Sequence, residues 1–345
     1  MDTSASPATA PGRKPRFSVI VPVYNRRDEV ADLMESLARQ SCRDFEVIIV
    51  EDGSTSPCRD IVEGTGRVNS RYYYKDNEGR SIARNYGMAR AEGDWMIFFD
   101  SDCVIPPDYF ATLSRELDAA PEVDCFGGPD AAHSSFSTTQ KAINYAMTSL
   151  LTTGGIRGGK ISLERFTPRT FNMGFTRSVY EKVGGFREMF SEDIDMSTRI
   201  RNAGFNISLI RPAYVYHKRR VDFKKFFRQV HVFGMSRITL QLLYPGSLKA
   251  VHTLPALAVI AGIILVLLGI FVSPLWLIPI GVYLLAIFLT ALIATRSLVI
   301  AIKAIPASVI QITGYGTGFL RAWVWKILLG HGRDIDQEIL IRKGK

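Results

Sequence analysis

Trp95-Met96-Ile97-Phe98-Phe99-Asp100-Ser101-Asp102-Cys103 is an apolar run that ends in two carboxylates separated by one residue. A run so short, aromatic and unbroken reads as a strand buried on both faces, as in the middle of a parallel sheet. Its acids then fall at the strand's carboxyl end, the edge at which open α/β sheets bind ligands. Asp-x-Asp on a turn offers oxygen ligands to a hard divalent cation, which commonly sits with a substrate's phosphates and not in an all-protein cage. A solvated acidic turn is the plain alternative, and the flanking sequence has to separate the two.

Working outward, Phe17–Asn25 is a β-rich run closed by Pro22 and Asn25, and Asp28–Gln40 then places Val30, Leu33, Met34 and Leu37 at helical spacing. Phe45–Val50 repeats the pattern and stops at Glu51-Asp52-Gly53-Ser54, again acids on a turn after a buried strand. Two such units in succession are right-handed βαβ units and put both acidic turns on one edge. Arg71–Tyr74 reads as a third strand, followed by the turn Asn77–Arg80 and a helix with Ser81 as N-cap and Gly93 as stop. That helix delivers Arg80 and Arg84 toward the acidic edge, where its dipole and the guanidinium groups would meet a diphosphate. The chain is therefore βαβαβαβ up to Asp102.

At this point the residues resemble the inverting nucleotide-sugar glycosyltransferases of the large family-two type, which have the GT-A fold. The matching pieces are Ser18–Asn25, Val50–Ser54, Asn77–Gly87, Phe99–Asp102 and Ser191–Asp195, in the family's order, within a match running from about Phe17 to Arg220. The resemblance implies an α/β GT-A domain with a mixed, mainly parallel sheet. It implies that Pro22, Tyr24, Asn25 and Asp52 hold the nucleotide base and ribose, with Asp100 near the ribose. Asp102, with Asp100, would hold Mn²⁺ or Mg²⁺ against the donor phosphates, and a metal there neutralises charge on the leaving nucleoside diphosphate. Asp193 is implied as the base that takes the acceptor's proton, with its neighbour Glu192 as second choice.

Beyond the sheet edge, Pro106–Tyr109 starts a helix reaching Leu117, and Cys125–Pro129 ends a short strand. Phe136–Arg169 shows little periodicity; its glycine-rich stretch Gly154–Lys160 reads as an acceptor-side loop. In Thr170–Phe175, which resembles the strand before the acceptor site, Asn172 is a candidate sugar contact. The helix near Asp193 carries Ile194, Met196 and Ile200 on one face, and Asp195 and Arg199 are spaced as a surface pair. After the strand ending in Val215-Tyr216-His217, the family often supplies a histidine to the metal, which makes His217 a candidate ligand. Processive members carry Gln-x-x-Arg-Trp in the next helix; Gln229–Phe233 lacks both Arg and Trp, which argues against a polymer synthase and leaves Arg219 and Arg220 as candidates for the diphosphate.

The 345 residues carry a formal charge of +9, and the excess is concentrated: Lys218, Arg219, Arg220, Lys224, Lys225, Arg228, Arg237 and Lys249 face only Asp222. Between Ala250 and Thr295 there is no Asp, Glu, Lys or Arg, and Leu254–Val272 and Pro274–Ala294 are each long enough for a bilayer core of about 30 Å. A basic segment before an apolar span marks a cytoplasmic side and suits an anionic leaflet; no nucleic-acid recognition signature accompanies the charge. Phe223, Phe226, Phe227, Val230 and Phe233 alternate with Lys224, Lys225 and Arg228, a pattern for a helix lying in the membrane interface or covering a core. Ala304–Leu320 reads as a third span or a re-entrant segment. The four cysteines, Cys42, Cys58, Cys103 and Cys125, have no metal-finger spacing and read as reduced thiols.

The expected organisation is a leader over 1–16, a GT-A domain over 17–220, a basic amphipathic segment over 221–250, a transmembrane region over 251–329 and a polar tail over 330–345. The expected activity is sugar transfer from a UDP- or GDP-sugar to a glycan or lipid-linked acceptor at the cytoplasmic face of the inner membrane. A polyprenyl-phosphate acceptor is the second reading, and a non-catalytic membrane assembly subunit the third.

Overall fold

The computed structural model describes residues 14–131, 137–153, 166–217 and 222–332. The chain divides into two compact units, one of Met1–His133 with Phe166–Lys218 and the other of Ser134–Arg165 with Arg219–Lys345. The leader through 13, the loop Gly154–Lys160, Arg219, Arg220 and the tail from 333 lie outside the described residues.

The first unit runs β1 (Phe17–Val23), α1 (Arg27–Ala38), β2 (Phe45–Asp52), α2 (Arg59–Gly64), β3 (Ser70–Lys75), α3 (Arg80–Met88), β4 (Trp95–Phe98), β5 (Cys103–Val104), α4 (Tyr109–Ala119), β6 (Cys125–Gly127) and β7 (Asp130–Ala131). The chain then forms α5 (Thr138–Thr148) and α6 (Leu150–Thr153) of the second unit. It resumes the first with β8 (Met173–Thr176), α7 (Arg177–Val183), α8 (Glu192–Asn202), β9 (Ile207–Leu209) and β10 (Val215–His217).

Seven strands form one sheet in the order β3-β2-β1-β4-β8-β6-β9, and β5, β10 and β7 form a small second sheet. Only β8 runs antiparallel to its neighbours in the large sheet, so the α/β fold is mixed and mainly parallel, as expected. Strand β4 is buried on both faces, yet it is not inside an all-parallel array: parallel β1 lies on one side and antiparallel β8 on the other. The strands read as continuous apolar runs because alternate side chains enter two cores. Phe17, Val19 and Val21 pack with α1 and α4, whereas Ile20, Met96 and Phe98 pack with Ala83 of α3 and Met196 of α8. Because β2 continues outward in one direction and β4 in the other, β1 marks the point where strand order reverses. Ligands of open α/β sheets bind beside the carboxyl ends at such a point.

Several local expectations shift. Glu51 and Asp52 are the last residues of β2, buried within the strand and not on the turn after it. Helix α3 begins at Arg80 with Gly79 as N-cap, not Ser81, because the turn needs φ of +103°, a backbone conformation natural to glycine. It also stops at Met88, short of Gly93. The stretch that lacked periodicity contains α5, started by a capping box in which Ser137 and Gln140 satisfy each other's backbone N–H groups.

The second unit also holds α9 (Phe223–Leu243), α10 (Ala250–Phe271), α11 (Ile278–Thr295) and α12 (Leu298–Ala322), the last extended by a π-helical stretch, Trp323–Leu328. Three stretches are long and apolar enough to cross a membrane: Ala250–Phe271, Pro274–Thr295 and Leu298–Leu328. The third is one continuous helical stretch with no re-entrant turn. Its glycines, read as breaks, are contacts instead: a Cβ on Gly318 would lie 2.0 Å from the carbonyl oxygen of His231, so α9 and α12 touch backbone to backbone. Phe226 and Val230 of α9 are fully buried in a cluster with α5 and α12, which covers the helix face that the sequence offered to an interface.

Candidate functional site

Two residues past β4, Asp100 starts the turn at the reversal point, with Cys103 N–H donating to its carbonyl (3.1 Å) and the Ser101 hydroxyl donating to Glu29 Oε2 (3.1 Å). Arg84 reaches this turn from α3, its Nη2 donating to Asp100 Oδ1 at 2.9 Å and its Nη1 to Glu192 Oε1 at 3.0 Å. Arg80, one turn earlier, donates to the other oxygen, Glu192 Oε2, at 2.8 Å. The i, i+4 spacing puts both guanidinium groups on one helix face, so a single carboxylate on α8 collects them. The chain Asp100–Arg84–Glu192–Arg80 thus links three sequence motifs that are far apart in the chain.

The members differ in access. The Arg84 side chain is 1% exposed and that of Glu192 3%, while that of Arg80 is 56% exposed. Arg84 also lies against the Phe186 ring, 5.7 Å from its centroid, and its Nε has no partner among the described residues. Buried between two carboxylates, Arg84 ties Asp100 to Glu192 across the edge. Glu192 has both carboxylate oxygens bound to arginine. Arg80 keeps an exposed guanidinium; burial opposes its charge, but Glu192, Asp100 and Asp193 raise its pKa above the ordinary arginine value.

Asp193 stands beside this chain on the first turn of α8, which follows Ser191 in a left-handed backbone conformation (φ +62°). Strained non-glycine residues of this kind concentrate at functional sites. Asp193 Oδ2 accepts from Arg169 Nη1 at 3.0 Å and Oδ1 accepts from the Ile194 N–H at 2.8 Å. Burial raises its pKa, but Arg169, the backbone N–H and Arg80 outweigh burial and hold the carboxyl below the usual aspartate range. It is therefore ionised at neutral pH.

At the ends of β1 and β2, Tyr24 is half exposed and Asn25, in a left-handed conformation (φ +53°), accepts from the Thr55 N–H at 2.8 Å. Pro22 pairs only with β2, beyond the reach of the β4 ladder, so its missing N–H costs no sheet bond. Asp52 is 3% exposed, and its carboxylate accepts from Lys75 Nζ (2.7 Å), Glu78 N (3.0 Å) and Gly79 N (2.9 Å), which fixes the turn that launches α3. Glu51 Oε2 accepts from the Cys58 N–H (2.8 Å), the Cys58 thiol (3.0 Å) and the Tyr72 hydroxyl (2.9 Å). Burial, then Glu51, pushes the Cys58 thiol well above its ordinary pKa.

Asn172, expected at the acceptor, is fully buried; its amide donates to the Ala213 carbonyl (2.8 Å) and accepts from the Tyr109 hydroxyl (2.6 Å). Asp195 and Arg199 do pair (2.9 Å), but Asp195 is fully buried and also binds Arg187 (3.3 Å), so the pair is internal and not a surface one. The register of the small sheet sets His217 opposite Cys103, the residue after Asp102. The His217 side chain lies outside the described residues. Among the described residues no group of three or more His, Cys, Asp or Glu is placed to hold a metal ion.

Sequence reasoning missed Arg169 and Lys75. Lys75 was accessible, because parallel pairing of β2 with β3 sets it directly opposite Asp52. Arg169 carries no local signal.

The model of the family "Glycosyl transferase family 2" matches residues 18–184. The matched stretch, just under half of the chain, is similar to the family 2 glycosyltransferases. The chain is 37% identical over 115 residues to TuaG of Bacillus subtilis (strain 168), a glycosyltransferase named for teichuronic acid biosynthesis; the match covers 32% of this chain and 44% of TuaG. It is 34% identical over 104 residues to the glycosyltransferase GlyA of Streptococcus pneumoniae serotype 4, covering 30% of this chain and 15% of GlyA. The chain therefore spans less than half the length of these curated relatives. In fold, it is similar to the mannosyltransferase PcManGT from Pyrobaculum calidifontis, solved in complex with GDP-Man and Mn²⁺, with a TM-score of 0.55 at 18% identity over 94% of this chain and 90% of that one.

Proposed function

We propose that this protein is a membrane-anchored, inverting, metal-dependent glycosyltransferase. It moves a sugar from a UDP- or GDP-sugar to a glycan or lipid-linked acceptor at the cytoplasmic face of the inner membrane. The observation that carries the proposal is the ion-pair chain Asp100–Arg84–Glu192–Arg80, which gathers three motifs at the sheet edge beside an ionised Asp193. The nucleotide-sugar and metal carried by PcManGT support the donor class.

The residues divide the work. Pro22, Tyr24 and Asn25 receive the base and ribose, and the exposed Arg80 at the start of α3 meets the diphosphate together with the helix N-terminus. Arg219 and Arg220, outside the described residues, are further phosphate contacts. Arg84 acts through others, by fixing Asp100 and Glu192. Asp193 accepts the proton of the acceptor hydroxyl as the new bond forms on the face of the sugar opposite the leaving diphosphate.

Asp100 and Asp102 provide carboxylate oxygens one residue apart on a turn, a hard donor set that suits Mg²⁺ or Mn²⁺, and the backbone of His217 runs beside them. A divalent cation held there would neutralise charge on the departing nucleoside diphosphate. Thermal unfolding with UDP or GDP, with and without Mn²⁺, tests the site: stabilisation requiring both nucleotide and metal, and lost in Asp102→Asn, is expected. No stabilisation by any nucleotide, with or without metal, would instead support the assembly-subunit reading.

One observation favours a polyprenyl-phosphate acceptor as a second reading. Arg169 weakens Asp193 as a base, and an acceptor phosphate needs no base to ionise it. Transfer to polyprenyl phosphate that survives Asp193→Asn distinguishes this reading from the first.

A further inference from the structure

From Ala250 to Leu320 the sequence contains only two Asp, Glu, Lys or Arg residues, Arg296 and Lys303. Arg296 lies in the exposed turn between α11 and α12. Lys303 lies on α12 itself, five residues past Leu298 and so about 8 Å along the axis from the helix start. An ionisable side chain in a helix of this kind is costly to place in a bilayer and commonly marks a ligand or ion pathway.

Its partners are not charged. Lys303 Nζ donates to Thr138 Oγ1 at 2.7 Å and to Thr139 Oγ1 at 3.1 Å, the first two residues of α5. No carboxylate pairs with Lys303 among the described residues. Each threonine oxygen accepts from the ammonium, so each keeps its own O–H to donate, and the ammonium keeps a third N–H. The cluster is a positive charge surrounded by unused donors, a set that matches an anion with several acceptor oxygens, such as a phosphate.

The cluster is held in place. Tyr145 of α5 shares a hydrogen bond with Thr290 of α11 (2.6 Å), Tyr283 of α11 donates to the Leu151 carbonyl of α6 (2.9 Å), and Ala142, Ile143 and Ala146 pack with Ile300 and Ala307 of α12. Two crossings by α10 and α11 return the chain to its starting side, so the α11–α12 turn and Lys303 belong to the same leaflet as Lys249 and the basic segment before it. At that depth the anion available is a lipid headgroup.

We propose that Lys303, Thr138 and Thr139 bind the phosphate of an anionic lipid headgroup in this leaflet. The site stands on the second unit alone and does not depend on the glycosyltransferase reading. The test is lipid binding to the purified full chain in detergent, read by native mass spectrometry with phosphatidic acid, phosphatidylcholine of the same acyl chains, or inorganic phosphate. The wild type should retain phosphatidic acid about tenfold more strongly than phosphatidylcholine. Lys303→Met should abolish that preference and Lys303→Arg should keep it. Inorganic phosphate should not displace the lipid. Equal retention of the two lipids by the wild type, an undiminished preference in Lys303→Met, or displacement by inorganic phosphate at matched concentration would each overturn the site. Should Lys303→Met fail to fold, the Thr138→Val, Thr139→Val double variant decides: a lowered preference supports the site and an unchanged one overturns it.

Discussion

The sequence places a Glu-Asp pair at two points of the same sheet edge, Glu51-Asp52 at the end of β2 and Glu192-Asp193 at the start of α8, and the structure gives the two pairs different work. At β2 both acids serve the fold: Asp52 fixes the turn into α3 with three hydrogen bonds, and Glu51 gathers Cys58 and Tyr72. At α8 only the first acid is consumed this way, since Glu192 binds Arg80 and Arg84, whereas Asp193 is restrained by one partly exposed side chain, Arg169. Asp52 and Glu192 each have both carboxylate oxygens bound, to Lys75 with two backbone N–H groups and to two arginines respectively. Asp193 has one side-chain partner, Arg169, and one backbone partner, the Ile194 N–H. The comparison teaches that motif identity is shared by both pairs, and that partner count and access separate their roles.

The largest expected effect breaks the α8 pair's support. Arg84→Met leaves Glu192 buried with one of its two cations and Asp100 without its guanidinium, and losing one partner of such a buried pair costs about 3–5 kcal/mol. Thermal unfolding of the purified chain should show a large loss; a midpoint within 2 °C of wild type, roughly 0.5–1 kcal/mol, would refute the buried strut. Next, Asp52→Asn replaces a charged acceptor beside Lys75 and weakens the turn before α3, with an expected loss of about 1–3 kcal/mol. A variant as stable as wild type that fails to bind nucleotide would return Asp52 to the ligand and dissolve the contrast between the pairs.

A smaller effect concerns titration. The carboxyl of Asp193 is held down in the folded chain, so the Arg169 pair stabilises the fold above the ordinary aspartate pKa and loses that contribution as pH falls through the lowered value. Arg169→Met removes the main opposition to burial, and the acid limb of the pH–rate profile should move to higher pH. An unmoved limb would mean that Asp193 is not the group being titrated. The smallest effect is chemical: Cys58, fully buried and bound to Glu51, should resist thiol alkylation in the folded state while the partly exposed Cys42 reacts. Equal labelling of the two would show that the β2 pair is open.

Much of this architecture was legible before any coordinates. The strands β1, β2 and β4 are short apolar runs buried on two faces, and the acids at the ends of β2 and β4 mark one edge of the sheet. What escaped was long-range. Asp52 and Glu192 carry the same signal as Asp100 and Asp193, and only packing shows that Lys75 and two arginines have consumed their oxygens. Asn172 looked like a sugar contact because its amide partners, Tyr109 and Ala213, lie more than 40 residues away on either side. Helix α5 was hidden because it packs between other helices and lacks a clear polar stripe, although its Ser137–Gln140 capping box was present in the sequence.

The most direct test of the central claim is the rate of sugar transfer by Asp193→Asn, per folded molecule, against wild type across a panel of UDP- and GDP-sugars with Mn²⁺. The variant should remain folded and transfer about 10²–10⁴-fold more slowly with the donor that wild type uses. A correctly folded Asp193→Asn protein that transfers at the wild-type rate would contradict the assignment of Asp193 as the base.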